Sequence, residues 1–192
     1  MALSLSFMLV LVLLSCKAAF SLNCTLPQSH SDENKETLKN LGEMKTVLNS
    51  SCKQDVHDFG LPQKVFEEPQ VLNEQTIVLV SQMIQEVWTL FCKPGSSSPW
   101  NNATLRDLLC SRLFRQLNDL APCVMQEVEM KETTPTETPS ERAVQKYFAN
   151  IHRYLIKKKY SLCAWEIVRI SILRAMSFSA GMQNRLRKRN KI

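Results

Sequence analysis

Apolar positions along the chain recur with a helical rhythm in five stretches, and no strand-like alternation is sustained. Around Ser29–Val47, Leu38, Leu41 and Met44 stand at helical spacing in a polar background. From Val71 to Phe91, Ile77, Val80, Ile84, Val87, Trp88 and Phe91 form one broad apolar face. A third helix is expected from a cap at Asn101 or Asn102 to about Leu120, with Leu105, Leu108, Leu109, Leu113 and Leu117 inward and Pro122 marking its end. Two more helices, about Glu141–Lys158 and Ser161–Gln183, are joined by a very short turn. In the last, Trp165, Val168, Ile172 and Met176 share one stripe, which predicts a core face anchored by the tryptophan.

The connections carry their own information. Between the first two helices runs "LNSSCKQDVHDFGLPQKVFEEPQ", broken by Gly60, Pro62 and Pro69. A loop this long is usually functional or pinned, and Cys52 is an obvious pin. Neighbouring helices that run parallel need such a crossover, so an all-α bundle of the up-up-down-down kind is expected. On the last helix Ile170, Leu173, Arg174 and Ser177 cluster away from the core stripe, with Arg169 at the margin. Aliphatics flanked by arginine resemble a binding hot spot, and that reading is preferred to packing against the long loop.

The N-terminus changes how the cysteines read. An apolar run from Leu3 to Leu14 is too short to span a bilayer and suits a signal peptide, 1–21, cut after Ser21. No basic residue precedes that run, a mild departure from the usual pattern. The remaining domain, 22–192, is expected to be secreted and extracellular. Of seven cysteines, Cys16 leaves with the signal, and six allow fifteen full disulfide connectivities. Cys163, at the start of the last helix, has Cys52 as its natural mate, and closing that loop would stabilise the fold by roughly 3–5 kcal/mol.

His30, His57 and His152 are far apart and no CxxC occurs, so neither a metal nor another cofactor is expected. With no GxSxG and no nucleophile–base pair, an enzyme is not expected either. Sequons begin at Asn23, Asn49 and Asn102, the first too close to the new terminus to be favoured. The net charge of +6 is concentrated in "RLRKRNK", Arg185 to Lys191. In a secreted chain this reads as a solvated, fraying tail, with heparan-type glycan binding as the functional alternative and nucleic acid excluded by location.

The runs "VQKYFANIHRYL" and "YLIKKKYSLCAWEIVR" closely resemble the C-terminal signature of mammalian type I interferons, the alpha and omega branch in particular. "CTLPQSHS" resembles the mature start of that branch, "HDFGLPQ" its long-loop motif and "RQLNDLAPCVMQEV" the end of its third helix. The likeness spans nearly the whole mature chain. It implies a five-helix cytokine bundle with disulfides Cys24–Cys123 and Cys52–Cys163. Cys92 and Cys110 are favoured as unpaired thiols, with a bridge between them as the alternative. Asn102 is the preferred glycosylation site, followed by Asn49.

Such a chain would be a monomeric signalling ligand without membrane insertion. It would join the two chains of the type I interferon receptor, whose Janus kinases phosphorylate STAT proteins and induce antiviral genes. The tight-binding chain maps to the loop, with Lys53, Val56 and Asp58, and to Arg169, Ile170, Leu173, Arg174 and Ser177. The weaker chain maps to Trp88, Thr89, Cys110, Phe114 and Gln145. Lys53 and Val56 depart from the apolar residue and arginine usual in alpha interferons, Ser171 replaces a usual glutamate and Gln145 a usual basic residue. Receptor engagement is therefore expected to be weaker or tuned to one species. The alternative is a secreted helical binder that does not signal, either a receptor antagonist or a glycan-bound reservoir.

Overall fold

The computed structural model describes residues 27–45, 52, 55–64, 74–94, 96, 98–100, 103–130 and 137–189. The expected signal peptide, Cys24, Asn49, Lys53 and Asn102 lie outside them. Five helices follow in order: α1 Gln28–Glu43, α2 Glu74–Cys92, α3 Ala103–Met130, α4 Pro139–Lys157 and α5 Leu162–Arg189. No strand is present among the described residues, and none of their helices is long and apolar enough to cross a membrane.

Local sequence explains several boundaries. Thr138 accepts from the Glu141 amide at 3.2 Å while Glu141 returns its carboxylate to the Thr138 amide at 2.6 Å, and Pro139 stands at the first helical position. This capping box satisfies two amides that α4 would otherwise leave bare. Between α4 and α5 the chain reverses within four residues, with Lys159 and Tyr160 both left-handed at φ 50° and 54°. Ser161 then caps α5 by accepting from the Ala164 amide.

Two ends differ from the sequence expectation. Pro122 does not end α3, which continues to Met130. A proline forgoes one bond, here to the Asn118 carbonyl, and at Pro122 that cost is outweighed because Leu120 and Cys123 are buried and Val124 packs on the core. Helix α5 likewise runs six residues past Gln183, so most of the basic segment is helical rather than a fraying tail. Leu186, buried at 7% exposure, is what holds that last stretch to the bundle.

Side-chain pairs set the helix directions. His30 meets Asp119 at 3.3 Å while Arg112 reaches Glu36 at 3.6 Å, so α1 and α3 are antiparallel. Asn34 bonds Gln183 and the Leu41 carbonyl bonds Arg169, so α1 and α5 are antiparallel too. Arg106 donates to the Phe91 carbonyl at 3.1 Å across the α2–α3 turn. Helices α1 and α2 therefore run one way and α3 and α5 the other, the up-up-down-down arrangement, with α4 antiparallel to α5. The long connection makes the parallel α1–α2 pair possible.

Trp165, Val168, Ile172 and Met176 are all within 1% of full burial, as their spacing predicts. They meet Met83, Ile84, Val87 and Phe91 of α2 and Phe148 and Ile151 of α4 in one apolar cluster. Trp165, Phe91 and Trp100 meet in tilted and edge-on contacts at centroid distances of 5.1 to 5.9 Å, and the Trp100 indole donates to the Met44 carbonyl. Helix α1 packs differently. Beside Leu41 it buries His30, Asn34, Thr37 and Asn40, a polar stripe that faces Gln116 of α3 and Ser179 and Gln183 of α5. The seam is only partly paired: Asn34 bonds Gln183, Gln116 bonds Thr37 and His30 meets Asp119. His30 Nε2, Asn34 Oδ1, Asn40 Nδ2 and Gln116 Oε1 find no partner among the described residues, and each such buried group costs about 1–3 kcal/mol.

Candidate functional site

The long loop is strapped onto the bundle at several points. Cys52 is bridged to Cys163 at the first turn of α5, with Cα atoms 5.2 Å apart, the mate expected from their placement. Phe59 is buried at 1% exposure and lies edge-on to Tyr147 and Tyr154. Its carbonyl accepts from Asn150 at 3.0 Å, and the Asp55 carbonyl accepts from the Tyr154 hydroxyl at 2.8 Å. Gly60 takes φ +72°, a left-handed conformation open to glycine at no steric cost, and its amide donates to Asp58. The loop's outward side chains, Val56 and Asp58, are thus held on a rigid support.

Tyr147 links this loop to the outer face of α5. Its hydroxyl shares a 2.7 Å hydrogen bond with Ser171. Burial pushes its phenol up to about 12, against the lowering effects of the Ser171 bond and of Arg174, and Asp58 pushes the same way. Tyr147 thus touches Phe59 of the loop and Ser171 of α5, and Arg174 and Asp58 both lie within electrostatic reach of it. On the α5 face Ile170 and Leu173 are half-buried, and Arg174 and Ser177 are exposed.

Arg169 does not belong to that surface. Its side chain is 2% exposed, paired through two nitrogens with the fully buried Glu166 at 2.5 and 3.0 Å. A third nitrogen donates to the Leu41 carbonyl at 2.7 Å. The helical wheel put Arg169 at a margin, and the docking of α1 beside Leu41 turned that margin into interior. Arg169 is a structural ion pair that ties α5 to the end of α1.

A second surface lies between α2 and α3. A cleft of about 440 Å³ is lined by Trp88 and Phe114 and, further along, by Leu117, Ala121, Val124 and Met125. Phe114 and Met125 are 55% and 63% exposed, an apolar display that no packing among the described residues accounts for. Thr89 is half-buried and its hydroxyl is turned back to the Gln85 carbonyl. Gln145 is exposed on α4 and does not line this cleft. Ending α3 at Pro122 hid Val124 and Met125 from the sequence reading; the i, i+3, i+4 spacing of Phe114, Leu117, Ala121 and Val124 was the available signal.

Cys110 is half-buried beside this cleft and bridged to Cys92, with Cα atoms 5.6 Å apart. This corrects the expectation that both are free thiols. Depth within a helix does not forbid a bridge when the antiparallel neighbour crosses within the 4.4–6.8 Å range that disulfides need. Cys92 stands one turn beyond Trp88 and Cys110 one turn before Phe114, so the bridge clamps the two helices next to the cleft. Cys123 is also disulfide-bonded, and Cys24, its expected mate, lies outside the described residues.

The chain is similar to known proteins along nearly its whole length. A family model for the interferon alpha/beta domain matches residues 26–186. Interferon alpha-14 and interferon alpha-10 of Homo sapiens are each 44% identical over 190 residues, covering 99% of this chain and 100% of the relative. Interferon alpha-2 of Equus caballus is 44% identical over 183 residues, covering 95% of this chain and 99% of the relative. With its five-helix bundle and the disulfide that straps the long loop to the last helix, the chain belongs to the interferon alpha/beta family and is a type I interferon cytokine.

Proposed function

We infer that this interferon is a secreted agonist that joins the two chains of the type I interferon receptor and so activates Janus kinases and STAT proteins. Residues 1–21 serve as its signal peptide, and the mature domain, 22–192, acts as a monomer without cofactor. The observation that carries the reading is a pair of separate surfaces on one rigid bundle, as a ligand with two receptor chains needs. One surface comprises Val56 and Asp58 with Ile170, Leu173, Arg174 and Ser177, and is assigned to the tight-binding chain together with Lys53. The other is the α2–α3 cleft with Trp88 and Phe114, assigned to the weaker chain together with Thr89, Cys110 and Gln145. Arg169 is left out of the first assignment because a buried side chain has no area to offer a partner. Asn102, next to the start of α3, is the proposed glycan carrier, with Asn49 second.

The test is STAT phosphorylation in cells of the matched species, with each receptor chain deleted in turn. A response that needs both chains is expected. A response that survives either deletion would reject the reading. One observation favours a non-signalling antagonist or a glycan-held reservoir as the second reading: Val56, 74% exposed, puts no charge at the crest of the loop. Binding to the tight chain, or retention on heparin, without STAT phosphorylation would select it.

A further inference from the structure

A second concavity, about 540 Å³, separates the 55–58 loop from α4. Tyr154 and Asn150, which strap the loop down, line it together with Asp55 and Val56 on the loop and Arg153, Lys157 and Lys158 on the helix. His57 lies flat on Tyr154, ring centroids 5.0 Å apart, and is exposed. The charges are not equivalent. Lys158 is spent on Asp55 at 2.7 Å. Arg153 and Lys157 are exposed and have no acidic partner among the described residues; Arg153 uses one nitrogen on the Asn150 side-chain carbonyl at 2.9 Å. That bond orients the guanidinium and leaves its other hydrogens unclaimed among the described residues. Four residues apart on one helix, the two cations stand about 6 Å from each other along the axis.

Part of this charge has a local use. Lys157 and Lys158 at the end of α4 complement the partial negative charge of the helix terminus. Arg153 stands a full turn earlier, where that effect has faded. The opposite wall of the cleft is Val56, an apolar side chain that is three-quarters exposed. An apolar anchor bordered by two cations without an acidic partner among the described residues, one of them oriented by Asn150, has the anatomy of a protein-binding hot spot with a charged rim. A free polyanion is a poorer fit, because Asp55 and the apolar Val56 occupy one of the two walls.

We propose that this cleft is a charged subsite for the tight receptor chain, in which Arg153 and Lys157 pair with carboxylates of an acidic segment while Val56 packs beside them. The inference rests on the receptor reading above and extends it from α5 and the loop onto α4. In this chain, basic charge next to the loop would thus come from α4 across the cleft rather than from position 56 itself. A rim pair of this kind acts chiefly on the association rate and is screened by salt.

The experiment is surface binding of the full mature protein to the ectodomain of the tight chain from the same species, at low and high salt. Wild type is compared with R153Q/K157Q and with R153Q/K157Q/V56R, and all three with a sulfated heparin octasaccharide as second analyte. Both cations are exposed, so the double variant should fold as wild type does, which its melting curve verifies. The expected result is a roughly three- to thirtyfold weaker affinity for the double variant, mostly in association rate, with a flatter salt dependence. V56R should restore at least part of the loss when added to the double variant, because it returns a cation to the same cleft. Unchanged receptor affinity in R153Q/K157Q would overturn the subsite and leave the receptor reading standing. So would lost octasaccharide binding with receptor affinity intact, which would assign the cations to a glycan instead. Failure of wild type to bind the ectodomain at all would reject both the subsite and the receptor reading.

Discussion

Replacing Arg169 by Met separates a structural role from a receptor contact. Methionine keeps much of the aliphatic stem and removes the guanidinium, so the change is mainly one of charge. Glu166, whose side chain is fully buried, then loses both of its bonds, and the Leu41 carbonyl loses its donor. Stranding one member of a buried ion pair costs about 3–5 kcal/mol. The orphaned carbonyl would cost about 1–3 kcal/mol by itself, but both losses occur in one network and do not add, so about 3–5 kcal/mol is expected for the variant. For a chain of this size that corresponds to a fall of roughly 6–20 °C in melting temperature. Urea unfolding followed by circular dichroism measures the loss directly. The second variant, R169M/E166L, removes the stranded charge and should recover most of the stability, since an apolar pair of similar volume often replaces a buried ion pair without loss. Receptor affinity of whatever fraction remains folded should match wild type. If R169M unfolds within about 1 kcal/mol of wild type while its affinity for the tight chain drops, Arg169 acts at the surface and the assignment to the interior is wrong.

Removing the bridge with C92S/C110S should cost about 3 kcal/mol in the entropic description of an 18-residue separation. Peptide mapping without reduction should recover Cys92 joined to Cys110, and titratable thiol at either position in the native protein would contradict it. Leu186→Ala should destabilise by about 2 kcal/mol or more through lost burial, read as a lower urea midpoint. If α5 instead frays after Gln183, the midpoint will not move and amides beyond it will exchange freely. Burial holds the Tyr147 and Tyr154 phenols up at about 12 against an ordinary value of 10.0. The unfolded chain therefore releases these protons first as pH rises, so their contribution is complete below pH 10 and is lost towards pH 12. Urea midpoints should fall across that window, and in Y147F/Y154F the fall should be smaller; an equal fall would place its origin in other groups.

Much of this protein could be read from local pattern. Helix number, the core stripe from Trp165 to Met176, the apolar face of α2 and that of α3 apart from Leu108, which is exposed rather than inward, follow from periodicity, which depends only on how an α-helix turns. The tether between Cys52 and Cys163 was legible too, because a long loop and the first turn of a helix leave few other uses for two cysteines in an oxidising compartment. Resemblance to the interferons added the receptor surfaces, which composition and spacing by themselves would not have named.

Other features were settled only where elements from distant parts of the chain met. Arg169 reads as half-outward on the wheel of α5, and it is interior because Leu41, 128 residues away in sequence, supplies a carbonyl to it. Pro122 reads as a stop, yet α3 passes through it because burial of the following turn offsets one forgone hydrogen bond. Cys92 and Cys110 read as two thiols until the crossing of α2 and α3 sets their backbones at bonding distance. The cleft that holds Arg153 and Lys157 has one wall from a loop and the other from α4, so no single window of sequence contains it. Periodicity is a property of one helix, whereas burial, bridging and clefts belong to the angle and register at which helices pack, and those are decided by the whole core at once.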